Sequence, residues 1–187
     1  MSLPELLSDI AAILVLIDRD AVPFKDFQPG VGPYGEPQLL KLVSGHLVLD
    51  EKYGPGVKTA KTPDLLVPDR WALEFKLARP FGDNGKVAEN WSVNLLHPYA
   101  GNTSLLGDCL KLRQLAGPER KAAVVVGYEH TPPQIPIEPL LRAFEVIADQ
   151  VMGINLGARA QVQRSGLRHP VHQQLSVTGW EVTSSGA

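Results

Sequence analysis

The sequence predicts an α/β domain in which a mixed central sheet is flanked by helices. Segments with helical spacing of apolar residues alternate with segments of strand-like alternation. One predicted helix joins two predicted strands, which favours parallel pairing through a right-handed crossover. With 187 residues, 44% of them hydrophobic, the chain is long enough to bury one sizeable core. We therefore expect one domain spanning residues 1–187.

The N-terminal part contains two predicted helices and one strand. Leu3 to Asp18 forms the first helix, whose apolar run from Ile10 to Ile17 is too short to cross a bilayer, since that takes about 20 residues. Glu36 to Ser44 has the spacing of a second helix, which Gly45 ends. His46 to Tyr53 alternates as a first strand.

Residues 62–76 are predicted to form a β-hairpin that supplies the second and third strands. If Val67 pairs with Trp71 across a loop of residues 68–70, one face is apolar and packs on the core, with Leu65, Val67, Trp71, Leu73 and Phe75. The other face then carries Asp64, Leu66, Ala72, Glu74 and Lys76. A two-residue turn would put the two acids on opposite faces. Their convergence therefore requires an odd-numbered loop or a bulge.

The C-terminal half is predicted to add two helices and three strands. Thr103 to Ala116 is a capped apolar helix, and Ala122 to Val126 is a buried β-branched strand. Pro139 to Met152 has the spacing of an amphipathic helix. Two tail strands, Ala158 to Arg164 and Gln173 to Val182, either complete the sheet or form a dimer arm. The expected organisation is a core at about 36–128 with a C-terminal β extension at about 157–182.

The charged hairpin face has the residue types of a metal site. Two carboxylates aimed at one spot repel each other, and a hard divalent cation with oxygen ligands, Mg²⁺ first, would satisfy both Asp64 and Glu74. The backbone carbonyl of Phe75 would supply a further oxygen. Lys76 would orient or deprotonate a water molecule, or neutralise a phosphate. This chemistry suits the hydrolysis of phosphodiester bonds.

The motif Pro63-Asp64, nine residues, then Glu74-Phe75-Lys76 resembles that of the PD-(D/E)xK nuclease superfamily. The resemblance implies the restriction-endonuclease-like fold, whose αβββαβ core matches the predicted order of elements in residues 36–128. It implies a Mg²⁺-dependent endonuclease acting on DNA, with Mn²⁺ as a substitute. It also implies that Asp64, Glu74 and Lys76 are catalytic. Because many nucleases of this fold pair to cut two strands, a homodimer is expected.

Glu36 is the residue that fits a further feature of this superfamily. In many members, a glutamate on the first core helix binds the metal or orients a ligand. Glu36 stands at the start of the predicted second helix. An acid in a first helical turn is also favoured by the helix dipole alone, so both interpretations are kept.

The distribution of charge bears on a nucleic-acid partner. The formal net charge of −2 gives no global support for one. Residues 1–57 hold four Lys or Arg and eight Asp or Glu, whereas residues 58–121 hold ten and seven. The candidate nucleic-acid contacts are basic residues near the motif and in the acid-free tail segment 157–172, namely Arg79, Lys86, Arg159, Arg164 and Arg168.

The connection formed by residues 80–101 is long for a link between a strand and a helix, and it follows the motif directly. Its candidates for contact with backbone, sugar or base are Lys86, Trp91, Asn94, His97 and Tyr99. The competing interpretation is that Trp91, Leu95 and Leu96 anchor the connection to the body. That interpretation is favoured for Trp91.

Other patterns are interpreted as structural. Gly30 to Gly35 matches GxGxxG without the flanking strand of a dinucleotide site, so its glycines are expected to turn the chain into the next helix. His169 and His172 are separated by Pro170, so they are predicted to be exposed loop residues near phosphate rather than zinc ligands. The single cysteine, Cys109, fits a helix core and a reducing cytoplasm.

Two alternatives to the nuclease remain open. The first is a non-catalytic member of the same fold that serves in binding or assembly. The second is an unrelated α/β domain in which Asp64, Glu74 and Lys76 form an internal salt-bridge network.

Overall fold

The computed structural model describes residues 1–20, 22–98 and 103–183. Its helices are α1 (Leu3–Asp20), α2 (Glu36–Leu49), α3 (Val93–Leu96), α4 (Leu105–Gln114) and α5 (Glu138–Val146). Its strands are β1 (Lys58–Thr59), β2 (Leu65–Val67), β3 (Trp71–Ala78), β4 (Arg120–Glu129), β5 (Asn155–Leu156), β6 (Ala160–Ser165) and β7 (Gln174–Thr183). A π-helical turn, Ile147–Val151, continues α5.

The strands form one mixed sheet of seven strands. Its order is β1-β2-β3-β4-β7-β5, and β6 also pairs with β7. β3 and β4 run parallel from the pair Trp71 and Arg120 to the pair Ala78 and Gly127, and the other pairings are antiparallel. α3 and α4 lie in the connection between β3 and β4. The predicted helical crossover and parallel pairing are therefore confirmed, as is the α/β class.

Helices cover both faces of the sheet. α1 and α2 pack on one face, where Leu14 and Leu40 belong to the first apolar core. α3, α4 and α5 pack on the other, where Leu105 belongs to the second core. Successive side chains of β4 point into different cores: Val124 lies in the first core and Val125 in the second. Within the described residues, no helix is both long and apolar enough to cross a membrane.

The predicted first strand, His46 to Tyr53, is wrong. α2 continues through Gly45 to Leu49, and the first strand is the two-residue β1. The helix continues because Leu47 follows Val43 by four residues and lies on the same buried stripe. A side chain at Gly45 would meet no atom within 4 Å, so this glycine weakens the helix without ending it.

The C-terminal strands complete the sheet, which is the first of the two predicted alternatives. β7 pairs with β4 along one edge and with β5 and β6 along the other. It is therefore an interior strand of this sheet, and the alternative in which the tail completes the sheet is the one observed. The predicted division into a core at about 36–128 and a C-terminal β extension at about 157–182 stays a prediction; within the sheet, β7 lies directly beside β4.

Candidate active site

The hairpin has the register that the sequence predicts. Val67 pairs with Trp71, and Leu65 pairs with Leu73. Asp69 in the three-residue loop has a φ of 60°, a left-handed conformation that aspartate tolerates better than most residues. The two-residue turn is therefore excluded, and continuation of this register brings residue 64 opposite residue 74.

One face of β3 is apolar and the other is charged, as the sequence predicts. Leu73 and Phe75 lie in the first apolar core together with Leu65 of β2. Glu74 and Lys76 point to the opposite face of the sheet, the one covered by α4. The apolar side of the hairpin thus fixes the strand on α1 and α2, and this packing directs the charged side chains towards α4.

Asp64 and Glu74 form an acidic pair around the backbone of Phe75. The Phe75 amide donates to Asp64 Oδ2 at 2.8 Å. Glu74 is 3% exposed, and its buried Oε1 has no hydrogen-bond partner among the described residues. Burial and the neighbouring Asp64 carboxyl hold the pKa of Glu74 well above its usual range. A positive charge beside this pair would therefore stabilise the ionised form of Glu74.

Lys76 supplies positive charge on the same face. Its Nζ donates to the Phe75 carbonyl at 2.8 Å and lies 2.7 Å from Asp108 Oδ2 and 3.6 Å from Glu36 Oε1. Burial alone would lower the pKa of Lys76, but Glu36 and Asp108 outweigh burial and raise it. The side chain is therefore a fixed ammonium, which suits charge neutralisation and hydrogen-bond donation rather than proton abstraction.

Glu36 lies in the first turn of α2, and the structure brings it to Lys76. Burial raises the pKa of Glu36 to about 7, and the charges of Asp64 and Asp108 add to this effect, whereas Lys76 opposes it. This carboxyl thus changes protonation near neutral pH. The expected role of Glu36 as a metal ligand or positioning residue stays a prediction.

Asp108 is a member of the cluster that the sequence interpretation missed. It is 2% exposed in the first turn of α4, and Lys111 Nζ lies 2.6 Å from its Oδ1. The sequence held a clue, because Asp108 follows Leu105 by three residues and precedes Leu112 by four, which places an acid on the buried stripe of the helix. Its Oδ2 lies 2.7 Å from Lys76 Nζ, so α4 contributes a carboxylate to the cluster.

The acidic pair offers a divalent cation a small set of protein donors. Within residues 1–20, 22–98 and 103–183, no group of three or more His, Cys, Asp or Glu side chains is arranged to hold a metal ion. Mg²⁺ is commonly held by only one or two protein carboxylates together with water and substrate phosphate. Within the described residues, the Glu74 oxygen that lacks a partner belongs to a carboxyl beside Asp64, and this pair fits that mode of binding.

The predicted nucleic-acid contacts do not form one surface patch. Arg79 is directed inward, and its Nη1 donates to the carbonyls of Gly32 and Tyr34. Arg159 bonds to carboxylates of α5 at Glu138 and Glu145. The other three are surface residues to different degrees, with Lys86 and Arg168 exposed and Arg164 half-buried.

The connection after β3 packs partly on the second core. Leu95 is buried there, and Trp91 and Leu96 pack against the same core, which agrees with the anchoring interpretation. Asn94 is exposed. The proposed contact at Tyr99 lies outside the described residues.

The prediction of exposed loop histidines is wrong. His169 is fully buried, its Nε2 lies 2.7 Å from Asp83, and its Nδ1 accepts the amides of Val171 and His172. His172 Nε2 lies 2.9 Å from the Phe81 carbonyl. The two rings stack at 4.3 Å and pin the loop before β7. Hydrogen bonds to Asp83 and to the Phe81 carbonyl offset the free-energy cost of burying these imidazoles.

The glycines of the GVGPYG segment let this segment pack closely against the buried histidine loop. A side chain on Gly32 would overlap the imidazole of His172, and one on Gly30 would crowd Asp18. Asp18 in turn accepts the amides of Val31 and Arg168. These glycines therefore permit close approach between two loops, which is more specific than the predicted role in turning the chain.

The expectation of a core cysteine is confirmed. Cys109 is fully buried among apolar residues of the second core. Burial raises the pKa of its thiol, with Asp108 and Glu74 adding to the shift, so the reactive thiolate is disfavoured.

Comparison of the chain with family models, curated proteins and solved structures gave no match.

Proposed function

We propose that this chain is a Mg²⁺-dependent nuclease of restriction-endonuclease-like fold that hydrolyses phosphodiester bonds in DNA. The observation that carries the proposal is the arrangement around Phe75. Asp64 accepts a hydrogen bond from its amide, Lys76 donates one to its carbonyl, and the neighbouring Glu74 has a buried carboxyl oxygen without a partner in the described part of the chain. Two acids and a lysine from one hairpin thus converge as the PD-(D/E)xK resemblance implies.

Each residue has a role that follows from its surroundings. Asp64, Glu74 and the Phe75 carbonyl would hold the cation, which when bound polarises the phosphate and acidifies a coordinated water, with Mn²⁺ as a substitute. Lys76 is a fixed ammonium that neutralises charge developing on the phosphate. Glu36, whose pKa is about 7, accepts or returns a proton near the site.

DNA as the substrate and a homodimer as the acting form are part of the same proposal. Residues 58–121 contain ten basic and seven acidic residues, a local excess of positive charge despite the net charge of −2. Of the five candidate contacts, Lys86 and Arg168 are exposed and therefore accessible to a phosphate backbone.

The test is cleavage of supercoiled plasmid, single-stranded DNA and RNA in Mg²⁺ or Mn²⁺. Asp64→Ala and Lys76→Ala should each lower the cleavage rate by about a hundredfold or more, because each removes charge that stabilises the transition state. Asp149→Ala removes an exposed acid from the π-helical turn after α5 and should leave the rate unchanged. Cleavage that survives both site substitutions would contradict the assignment.

A second candidate is a non-catalytic binding protein in which the cluster is structural. The observation favouring it is that Lys76 already has three oxygen neighbours, from Phe75, Asp108 and Glu36. In that case Lys76→Ala would lower stability, and Mg²⁺ would not shift the melting temperature. A metal-dependent rise in melting temperature that Asp64→Ala abolishes would favour the nuclease.

A further inference from the structure

A cavity adjoins the candidate active site on the side of Glu36. Its volume is about 420 Å³, and Glu36 forms part of its wall, so the cavity and the site share a side chain. Clefts for small ligands span roughly 300–1,000 Å³. The cavity is therefore large enough for one ring system with its substituents and too small for a segment of duplex.

Part of the wall is aromatic and apolar. Phe27, from the segment before α2, and Trp91, from the connection after β3, both line the cavity. Leu77 of β3 adds aliphatic surface. Phe27 is 41% exposed, so its ring is accessible to a ligand. Flat apolar surfaces of this kind suit the faces of a planar ring.

The polar part of the wall disfavours a phosphate. Three carboxylates line the cavity, from Glu36, Asp83 and Glu89. The basic wall residue is Arg79, whose Nη1 already donates to two backbone carbonyls and whose guanidinium is largely buried. Carboxylates repel an anion, but they accept hydrogen bonds from exocyclic amino groups and ring N–H groups.

We propose that this cavity binds one unpaired nucleobase of the substrate, next to the phosphodiester held by Asp64, Glu74 and Lys76. The proposal rests on the proposed nuclease function and narrows its substrate to single-stranded or locally unpaired DNA. Phe27 and Trp91 stack on the base, and wall carboxylates and the Asn94 amide bond to its edge. A base in a continuous duplex would have to leave its stack to enter, at a cost of a few kcal/mol.

The test compares binding of two labelled oligonucleotides of equal length, one of deoxyadenylate and one with abasic sites throughout. Binding is measured by fluorescence anisotropy in Mg²⁺ with the Lys76→Ala chain, so that the oligonucleotide stays intact. Trp91→Ala and Phe27→Ala are each added to this background. Val93→Ala, an exposed change in the same connection outside the cavity wall, is the matched control.

Each aromatic substitution should weaken binding of the deoxyadenylate oligonucleotide about tenfold, or roughly 1.4 kcal/mol, and leave abasic binding unchanged. Val93→Ala should change neither. Because Phe27 is exposed, its replacement tests the cavity even if Trp91→Ala impairs folding. Equal losses on both oligonucleotides, no loss with either variant, or equally tight parental binding of both oligonucleotides would overturn the proposal.

Cleavage by the unsubstituted chain separates this proposal from the nuclease assignment. Base-dependent binding that needs Phe27 and Trp91, without any cleavage, would support the cavity and contradict the nuclease. Cleavage together with base-independent binding would contradict the cavity alone.

Discussion

At the scale of single residues, Lys76 joins three structural elements. Its ammonium lies 2.8 Å from a carbonyl of β3, 2.7 Å from Asp108 of α4 and 3.6 Å from Glu36 of α2. A lysine that is mostly buried is tolerated only with such compensation. The same contacts that stabilise the side chain also fix the position of its charge.

Replacing Asp108 with asparagine should destabilise the protein by about 3 kcal/mol, because a buried charge partner of Lys76 is lost. Lys111→Ala removes the more exposed partner of Asp108 and should cost within about 1 kcal/mol. Urea unfolding of both variants gives the comparison. Equal effects of the two substitutions would contradict the account of the cluster.

Glu36 makes the free energy of unfolding depend on pH, and the direction of its shifted pKa gives the sign of that dependence. Its pKa in the folded protein is about 7 against an ordinary value of 4.5, so the folded state holds a proton that the unfolded chain releases between these values. Stability from this group is therefore present below pH 4.5 and is lost as the pH rises to 7, by on the order of 3 kcal/mol.

Glu36→Gln should remove this contribution to the pH dependence of the unfolding free energy. The exposed residue Glu51, changed to Gln, provides the control. Unfolding curves across pH 4 to 8 measure the effect. If Glu36→Gln and the parent chain have the same dependence on pH, the environment assigned to Glu36 is wrong.

At the scale of elements, a glycine in a loop, Gly32, is packed much more tightly than a glycine in a helix, Gly45. Gly32 and His172 come from segments far apart in the chain, and a Cβ on Gly32 would overlap the imidazole. Gly45, inside α2, faces open space. The same substitution at the two positions should therefore have opposite effects.

Gly32→Ala should destabilise the protein by about 1–3 kcal/mol through overpacking. Gly45→Ala should stabilise it by roughly 0.5–1 kcal/mol, since alanine favours a helix interior. Thermal melting of both variants is sufficient to compare them. A neutral effect at Gly32 would contradict the contact between the two loops.

The elements also show why sequence patterns predicted some features and missed others. The hairpin register followed from alternation within residues 62–76, a local property. The strand expected at His46 to Tyr53 failed because its apolar residues suit a helix equally well, and packing of Leu47 on the core decided between them. The place of Asp108 on the apolar stripe of α4 was visible in the sequence, but its contact with Lys76 was not. That contact and the burial of the histidines depend on distant segments, which one sequence pattern does not reveal.

At the scale of the whole molecule, the three long strands inside the sheet are β3, β4 and β7. β7 comes from the end of the chain yet lies between β4 and the strands β5 and β6. Strand β3, which carries Glu74 and Lys76, is therefore supported through β4 by β7, a strand from a distant part of the chain. Interior strands open only with global unfolding, whereas short edge strands fray.

Amide hydrogen exchange should accordingly be slowest in β3, β4 and β7 and fast in the edge strand β1. The exchange free energies in β4 and β7 should be equal within about 1 kcal/mol, since both report global unfolding. Exchange in β7 as fast as in β1 would show that the C-terminal strands form a separable extension.

The central claim is that Asp64, Glu74 and the Phe75 carbonyl form one cation site. Crystals soaked in Mn²⁺ test it through anomalous scattering, which locates the metal and its ligands. The account predicts a peak bound by both carboxylates and this carbonyl at about 2.1 Å, the distance of small hard cations. No peak in soaked crystals of the unsubstituted chain, or a peak held by other residues alone, would contradict it.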